Sequence, residues 1–280
     1  MTRNVDEKTA GGFGREWSTF TQNERELTTE QRAQLFADYF AIFPWETLPA
    51  QGATGIDVGC GSGRWAALVA PRVAHLHLLD VSAEALDVAR ANLVGSANVS
   101  FHLGAVEDVP LPDGSLDFAY SVGVLHHVPD TARAIRDVAR KLRPGAPFLV
   151  YLYYAFDNRP LWYRLVWQAS TAVRVILSRS PYFLQVAISQ LIATLVYWPL
   201  ARLARVLAAA GVLPASWPLA YYRDKSFYVL RTDAFDRFCT RLEQRFTRVQ
   251  IETMLADAGF ESIRFSPSMP FWCAVGVKQR

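Results

Sequence analysis

The sequence predicts an α/β protein built on a doubly wound, mostly parallel sheet, with an antiparallel closing strand, an N-terminal helical cap and a helical insertion. Three observations carry this. Between residues 51 and 156, short apolar runs alternate with helical periodicity, the pattern of parallel strands covered on both faces. A glycine-rich turn follows the first of those runs. The charge is also uneven: Asn158 to Arg223 holds seven arginines and no Asp or Glu, although the 280 residues together carry only +3.

Residues 1–50 are the expected cap. A helix is predicted over 28–42, where Leu35, Phe36, Tyr39, Phe40 and Phe43 recur at helical spacing. Ahead of it, GGFGREWSTF places Phe13, Trp17 and Phe20 behind two glycines, as a lid over a ligand or as anchors for the cap. Residues 51–156 are the core. GIDVG (55–59) reads as a buried strand, with a helix from about Arg64 to Ala70 after the glycine turn. HLHLLD (75–80) is the second strand, and Ser82 caps a helix whose inner face is Ala85, Leu86, Ala89 and Leu93. VSFHLG (99–104) and SLDFAYSVG (115–123) are the third and fourth strands, and TARAIRDVARKL (131–142) is a helix stopped by Pro144 and Gly145. FLVYLYY (148–154) is the fifth strand. Residues 157–232 form the insertion. Residues 233–280 complete the sheet: Thr247 and Gln250 make a capping box, Gly259 ends that helix, and SIRF and WCAVGVK close the sheet as an antiparallel pair.

Composition removes several classes. A 51% hydrophobic content excludes a disordered chain. A charge of +3 gives no reason to expect nucleic acid. Cys60, Cys239 and Cys273 are too few and too scattered for a disulfide framework or a zinc ribbon. A cytoplasmic protein with no metal centre is therefore expected, and the polar start MTRNVDEKTAGG predicts no secretory signal.

The sharpest motif is Asp57-Val58-Gly59-Cys60-Gly61-Ser62-Gly63, between the first strand and the first helix. Glycines there let the backbone turn tightly and approach a ligand. A dinucleotide fingerprint would need its third glycine where Arg64 stands, so an NAD(P)-dependent oxidoreductase is kept only as an alternative. The loop, followed in register by Asp80 at the end of the second strand and Glu107-Asp108 after the third, resembles motif I and its acidic partners in the class I S-adenosylmethionine-dependent methyltransferases. VPLPDGSLDFAYSVGVLHHVPD (109–130) and LRPGAPFLV (142–150) resemble the ubiquinone/menaquinone-type and type-11 members. The resemblance implies a Rossmann-like core and S-adenosylmethionine as cofactor. It implies that Asp57, Gly59, Cys60, Gly61, Gly63, Asp80, Val81, Glu107, Asp108 and Ser121 bind it. Asp80 would hold the ribose hydroxyls. Between Glu107 and Asp108, the latter is favoured for the adenine amino group because it stands two residues before Pro110.

A sulfonium methyl is already activated, so a base matters only when the acceptor is a neutral hydroxyl. His126 and His127, just past the fourth strand, are the candidates, with Tyr151, Tyr153 and Tyr154 near the same crevice. Neither the Asn/Asp-Pro-Pro-aromatic box of amino-group DNA methyltransferases nor the Pro-Cys of cytosine-C5 enzymes follows the fourth strand. A small-molecule, lipid-linked or glycan-derived acceptor is expected, with O-methylation favoured. In the insertion, Arg164, Gln168, Thr171, Arg174 and Ser178 share one helical face, and Leu161, Leu165, Ala169, Ala172 and Ile176 the other. Residues 180–201 are uncharged. The insertion is expected to serve as an acceptor lid, a homodimer interface or a peripheral contact at the inner face of a membrane. Tyr221, Tyr222, Arg223 and Lys225 behind it are candidates for the acceptor pocket. A non-catalytic, membrane-associated cofactor-binding module is the remaining alternative.

Overall fold

A computed structural model of the chain describes residues 3–19, 28–49 and 52–280. They form two compact units, residues 1–155 with 242–280, and residues 156–241.

The first unit opens with α1 (Glu7–Thr19) and α2 (Thr29–Phe40). Alternating elements follow: β1 (Thr54–Val58), α3 (Ala66–Val69), β2 (His75–Asp80), α4 (Ala83–Asn92), β3 (Val99–Leu103), β4 (Phe118–Val122), α5 (Thr131–Lys141) and β5 (Pro147–Tyr151). The seven-stranded sheet has the order β3-β2-β1-β4-β5-β7-β6, where β6 is Phe260–Phe265 and β7 is Cys273–Lys278. β7 alone runs antiparallel to its neighbours. The expected doubly wound sheet with one reversed closing strand is the observed one.

Pleating sorts the faces of this sheet. Ile56 and Ala119 point to one side, where Ile135 and Val138 of α5 join Phe148, Val150 and Phe260 in the core. Asp57 and Tyr120, paired in register, point to the other. There the ring of Phe40 meets that of Tyr120 at 5.2 Å and Phe43 meets Phe118 at 5.9 Å. The cap helix α2 begins with a Thr28–Gln31 capping box and buries the predicted Leu35, Phe36 and Phe40.

Helix α1 forms despite its glycines. Gly11, Gly12 and Gly14 argue against a helix, yet Asp6 Oδ1 accepts from Thr9 N at its start. A Cβ on Gly14 would lie 2.7 Å from Ser82 Oγ. Close seating on α4 outweighs the propensity. Phe20 and the side chain of Trp17 lie outside the described residues.

The second unit holds α6 (Leu161–Leu177), α7 (Tyr182–Ile192), α8 (Trp198–Ala209) and α9 (Phe227–Cys239). A π-turn at Ala193–Tyr197 joins α7 to α8. Pro199 stands just beyond it, and a proline cannot donate to the carbonyl one turn back. The sequence boundary after 232 falls inside α9, whose Val229, Leu230, Phe235 and Phe238 are buried. The first unit resumes at Leu242 and finishes with α10 (Arg248–Asp257), opened by the predicted Thr247–Gln250 box, before β6 and β7.

Candidate active site

The glycine turn is shaped by its backbone. Gly59, Gly61 and Gly63 have φ of 78°, 52° and 74°, the left-handed region that other residues enter at a cost. At Gly59 a Cβ would also lie 2.3 Å from Val124 Cγ1. The amides of Gly59 and Cys60 both donate to Leu79 O, at 2.8 and 3.0 Å, which ties the loop to the end of β2. Asp80 holds the loop from the same place: Oδ2 accepts from Gly61 N and Oδ1 from Ser82 N, both at 2.9 Å. Burial raises the Asp80 carboxyl, while the amides of Ser82, Gly61 and Val81 act against it. Val81 itself is part-exposed beside it.

Asp57 is the most perturbed acid here. It is 1% exposed, and burial pushes its carboxyl up to about 8. The Tyr120 hydroxyl beside it and the more distant Arg64 favour the ionised form, while Asp80 opposes it. Yet Asp57 Oδ2 and the Tyr120 hydroxyl are both buried without completing a hydrogen bond. Asp57 Oδ2 thus keeps unused hydrogen-bonding capacity in a buried place beside three left-handed glycines.

The remaining predicted residues take varied positions. Ser121 Oγ donates to Val58 O at 2.9 Å and so laces β4 to β1. Cys60 is buried in the loop. Glu107 and Asp108 are engaged by Asn4 and Arg3, a pairing that no local motif announces. Arg3 pairs with Asp108 at 2.7 Å, and Asn4 N donates to Glu107 Oε1 at 2.7 Å. The Arg3 hydrogen bond holds the Asp108 carboxyl below its ordinary range.

His126 and His127 sit side by side, ring centroids 4.0 Å apart. His126 is fully buried, stacks on Tyr153 at 3.8 Å, and has no hydrogen-bond partner at either nitrogen. Burial above all, then His127 and Arg245, holds it well below the usual histidine range and therefore neutral. His127 Nδ1 is 2.7 Å from Leu242 O. A carbonyl can only accept, so Nδ1 carries a proton. Phe13 of α1 covers His127 at 4.9 Å. Residues 242–246 close this end: Gln244 N donates to His126 O, and buried Arg245 pairs with Glu243 and lies over Tyr153 at 5.0 Å. Sequence reading missed Arg3, Asn4 and Arg245 because each lies about a hundred residues from the group it meets, and Glu243 because it acts only through Arg245. No cluster of metal-ligating residues occurs among the described residues.

Residues 56–150 match the family profile described as a methyltransferase domain. The chain carries a class I S-adenosylmethionine-dependent methyltransferase domain. It is 35% identical over 105 residues to an uncharacterized methyltransferase, YcgJ, of Bacillus subtilis, covering 37% of this chain and 42% of that one. It is 37% identical over 100 residues to a ubiquinone biosynthesis O-methyltransferase of Xanthomonas oryzae, covering 35% and 42%. The chain thus spans under half the length of the curated relatives it matches. In fold it is similar to an S-adenosylmethionine-dependent methyltransferase of Thermotoga maritima, with a TM-score of 0.51 at 14% identity over 97% of this chain and 100% of that one. The nicotinamide alternative falls with this match. The domain's cofactor is S-adenosylmethionine, and the open Asp57 oxygen beside the three left-handed glycines suits its cationic methionine end.

Proposed function

We propose that the protein is a cytoplasmic methyltransferase that moves the methyl group of S-adenosylmethionine to the hydroxyl of a small, largely apolar acceptor, free, lipid-linked or glycan-derived. The observation that supports it is a left-handed glycine loop beside the buried carboxyl of Asp57, with two adjacent histidines just past the neighbouring strand. Asp57 would take the methionine ammonium, the backbone of Gly59 to Gly63 the chain of the cofactor, Asp80 with Val81 the ribose, and Glu107 or Asp108 the adenine. The cofactor supplies an activated methyl. The protein's own work is positioning, exclusion of water and removal of one proton.

His126 is the group proposed to take that proton. It is neutral at physiological pH and both its nitrogens lack a protein partner. His127, with Nδ1 fixed by Leu242, is proposed to orient its neighbour. Phe13 and Tyr153 lay rings against the pair, with Tyr151 behind Tyr153, which suits an apolar acceptor. The O-methyltransferase named among the relatives supports the choice of a hydroxyl, and three unbridged, buried cysteines support a reducing compartment.

The test is transfer of labelled methyl to panels of hydroxylated, amino and carboxylic acceptors. Transfer to hydroxyls should fall by about two orders of magnitude in His126→Gln, the range for removing a general base, with cofactor affinity unchanged. Turnover of amines alone, or full activity in the variant, would sink the reading.

A further inference from the structure

In the helical unit, α9 buries its large apolar residues, but α6 and the helix that follows it turn most of theirs outward. In α6 the second half of the polar stripe turns inward within the unit, while Arg164 and Gln168 stay exposed: Arg174 donates to the carbonyls of Thr240 and Arg241, Thr171 accepts from Arg237, and Ser178 is 1% exposed. The apolar stripe of Leu161, Leu165, Ala169, Ala172 and Ile176 is exposed throughout.

The continuous helix Tyr182–Ala209 repeats the inversion. Its buried positions are the small residues Ser189, Ala193, Ala201 and Ala204. Its outward face carries Leu184, Ile188, Leu191, Leu195 and Trp198 at alternating spacings of four and three, then Val206, all exposed. A helix in water does the opposite. Small residues inside and large apolar residues outside is how helices pack when their outer faces touch lipid. The helix is long and apolar enough to cross a bilayer. Its inner face, however, rests on α9, which carries Arg231, Asp233, Asp236 and Arg237. A full span would drag those charges into hydrocarbon.

Charge selects the occupant. The 158–223 stretch has seven arginines and no acid, and exposed Arg164, Arg179 and Arg205 lie along these helices. Exposed Asp224 pairs with Arg205 and Arg223, yet the surface is predominantly basic, and a second copy would bring it against another of its kind. A phospholipid surface of negative charge offers both what the apolar face and what the arginines need.

We infer that the outward face of Tyr182–Ala209 lies in the headgroup–acyl boundary of an anionic membrane, with Arg179 and Arg205 toward lipid phosphates. This does not depend on the acceptor or on the role of the histidines.

The experiment is flotation of the full-length protein with phosphatidylcholine vesicles, with and without phosphatidylglycerol. The expected result is binding at low salt to the anionic vesicles, at least about tenfold weaker to the neutral ones and released as salt rises. Leu191→Glu with Leu195→Glu should abolish flotation, and Arg179→Gln with Arg205→Gln should weaken it by roughly tenfold or more. Both variants should keep wild-type S-adenosylmethionine affinity and helical circular dichroism, which separates this result from misfolding. No flotation at any salt overturns the inference. So does a concentration-dependent dimer that the leucine variant abolishes, since the occupant would then be a second copy. Vesicle-bound protein that resists alkaline carbonate would replace surface contact with a span.

Discussion

The sheet unit and the helical unit treat the same kind of residue in opposite ways. Phe148, Leu149 and Val150 of β5 are wholly buried, whereas Leu191, Leu195 and Ile176 on the helices are 56%, 69% and 73% exposed. The acids divide too: the glycine loop gathers buried Asp57 and Asp80, while residues 158–223 have none. One unit is closed around an electrostatic site, the other presents apolar surface ringed by arginine. Position in the chain therefore says little about what a leucine does, because its surroundings decide whether it holds the fold together or faces outward.

The largest effect that would test this contrast is the pH response of Asp57. Its folded carboxyl sits near 8 against 3.8 for the free side chain. The neutral acid is thus favoured by folding, and that stability is complete below about pH 4 and lost as pH rises toward 8, by about 1.4 kcal/mol per pH unit. Denaturant titrations across that range should show this slope in the wild type and lose it in Asp57→Asn, while the variant binds S-adenosylmethionine at least about tenfold more weakly. An unchanged slope would remove Asp57 as the strained group.

Next comes a matched pair of truncations. Leu149→Ala should lower unfolding free energy by about 2–5 kcal/mol, the range for a wholly buried leucine. Leu195→Ala should change it by no more than about 0.5 kcal/mol, as for an exposed position. Equal losses would mean that the helical face is covered in the folded protein.

A smaller effect is expected in cofactor affinity. Asp80→Ala should weaken binding by about 1–3 kcal/mol, the range for a lost charge-assisted hydrogen bond, as read by calorimetry. Part of that loss would come from the loop, since Asp80 also holds Gly61 N. Gly61→Val should do more damage to binding than to stability if the loop serves the ligand. If affinity survives in Gly61→Val, the loop is a turn and nothing more.

The smallest difference concerns glycine itself. Gly211 in the helical unit has φ of 73° with no atom within 4 Å of an added Cβ. Gly211→Ala should therefore cost only the backbone strain, about 1 kcal/mol. Gly59→Ala adds the collision with Val124 and should cost clearly more by thermal unfolding. Similar losses would show that Val124 yields.

Sequence alone determined the sheet, the order of its elements and the identity of the loop, because each rests on local rules. Period-two and period-3.6 patterns, the caps at Ser82 and Thr247, and glycines at turns act over a few residues. It also marked the acid-free block. Only the tertiary structure decided which way that block faces. A helical wheel separates Leu165 from Arg174 but cannot say which stripe meets α9, and here the polar one does. The same limit hid the pairing of Arg3 with Asp108, the closure of the histidine end by Glu243 and Arg245, and the helix at Gly11 to Gly14. Those features are set by contacts between segments far apart in the chain, whose energies enter no local pattern until the sheet has brought the segments together.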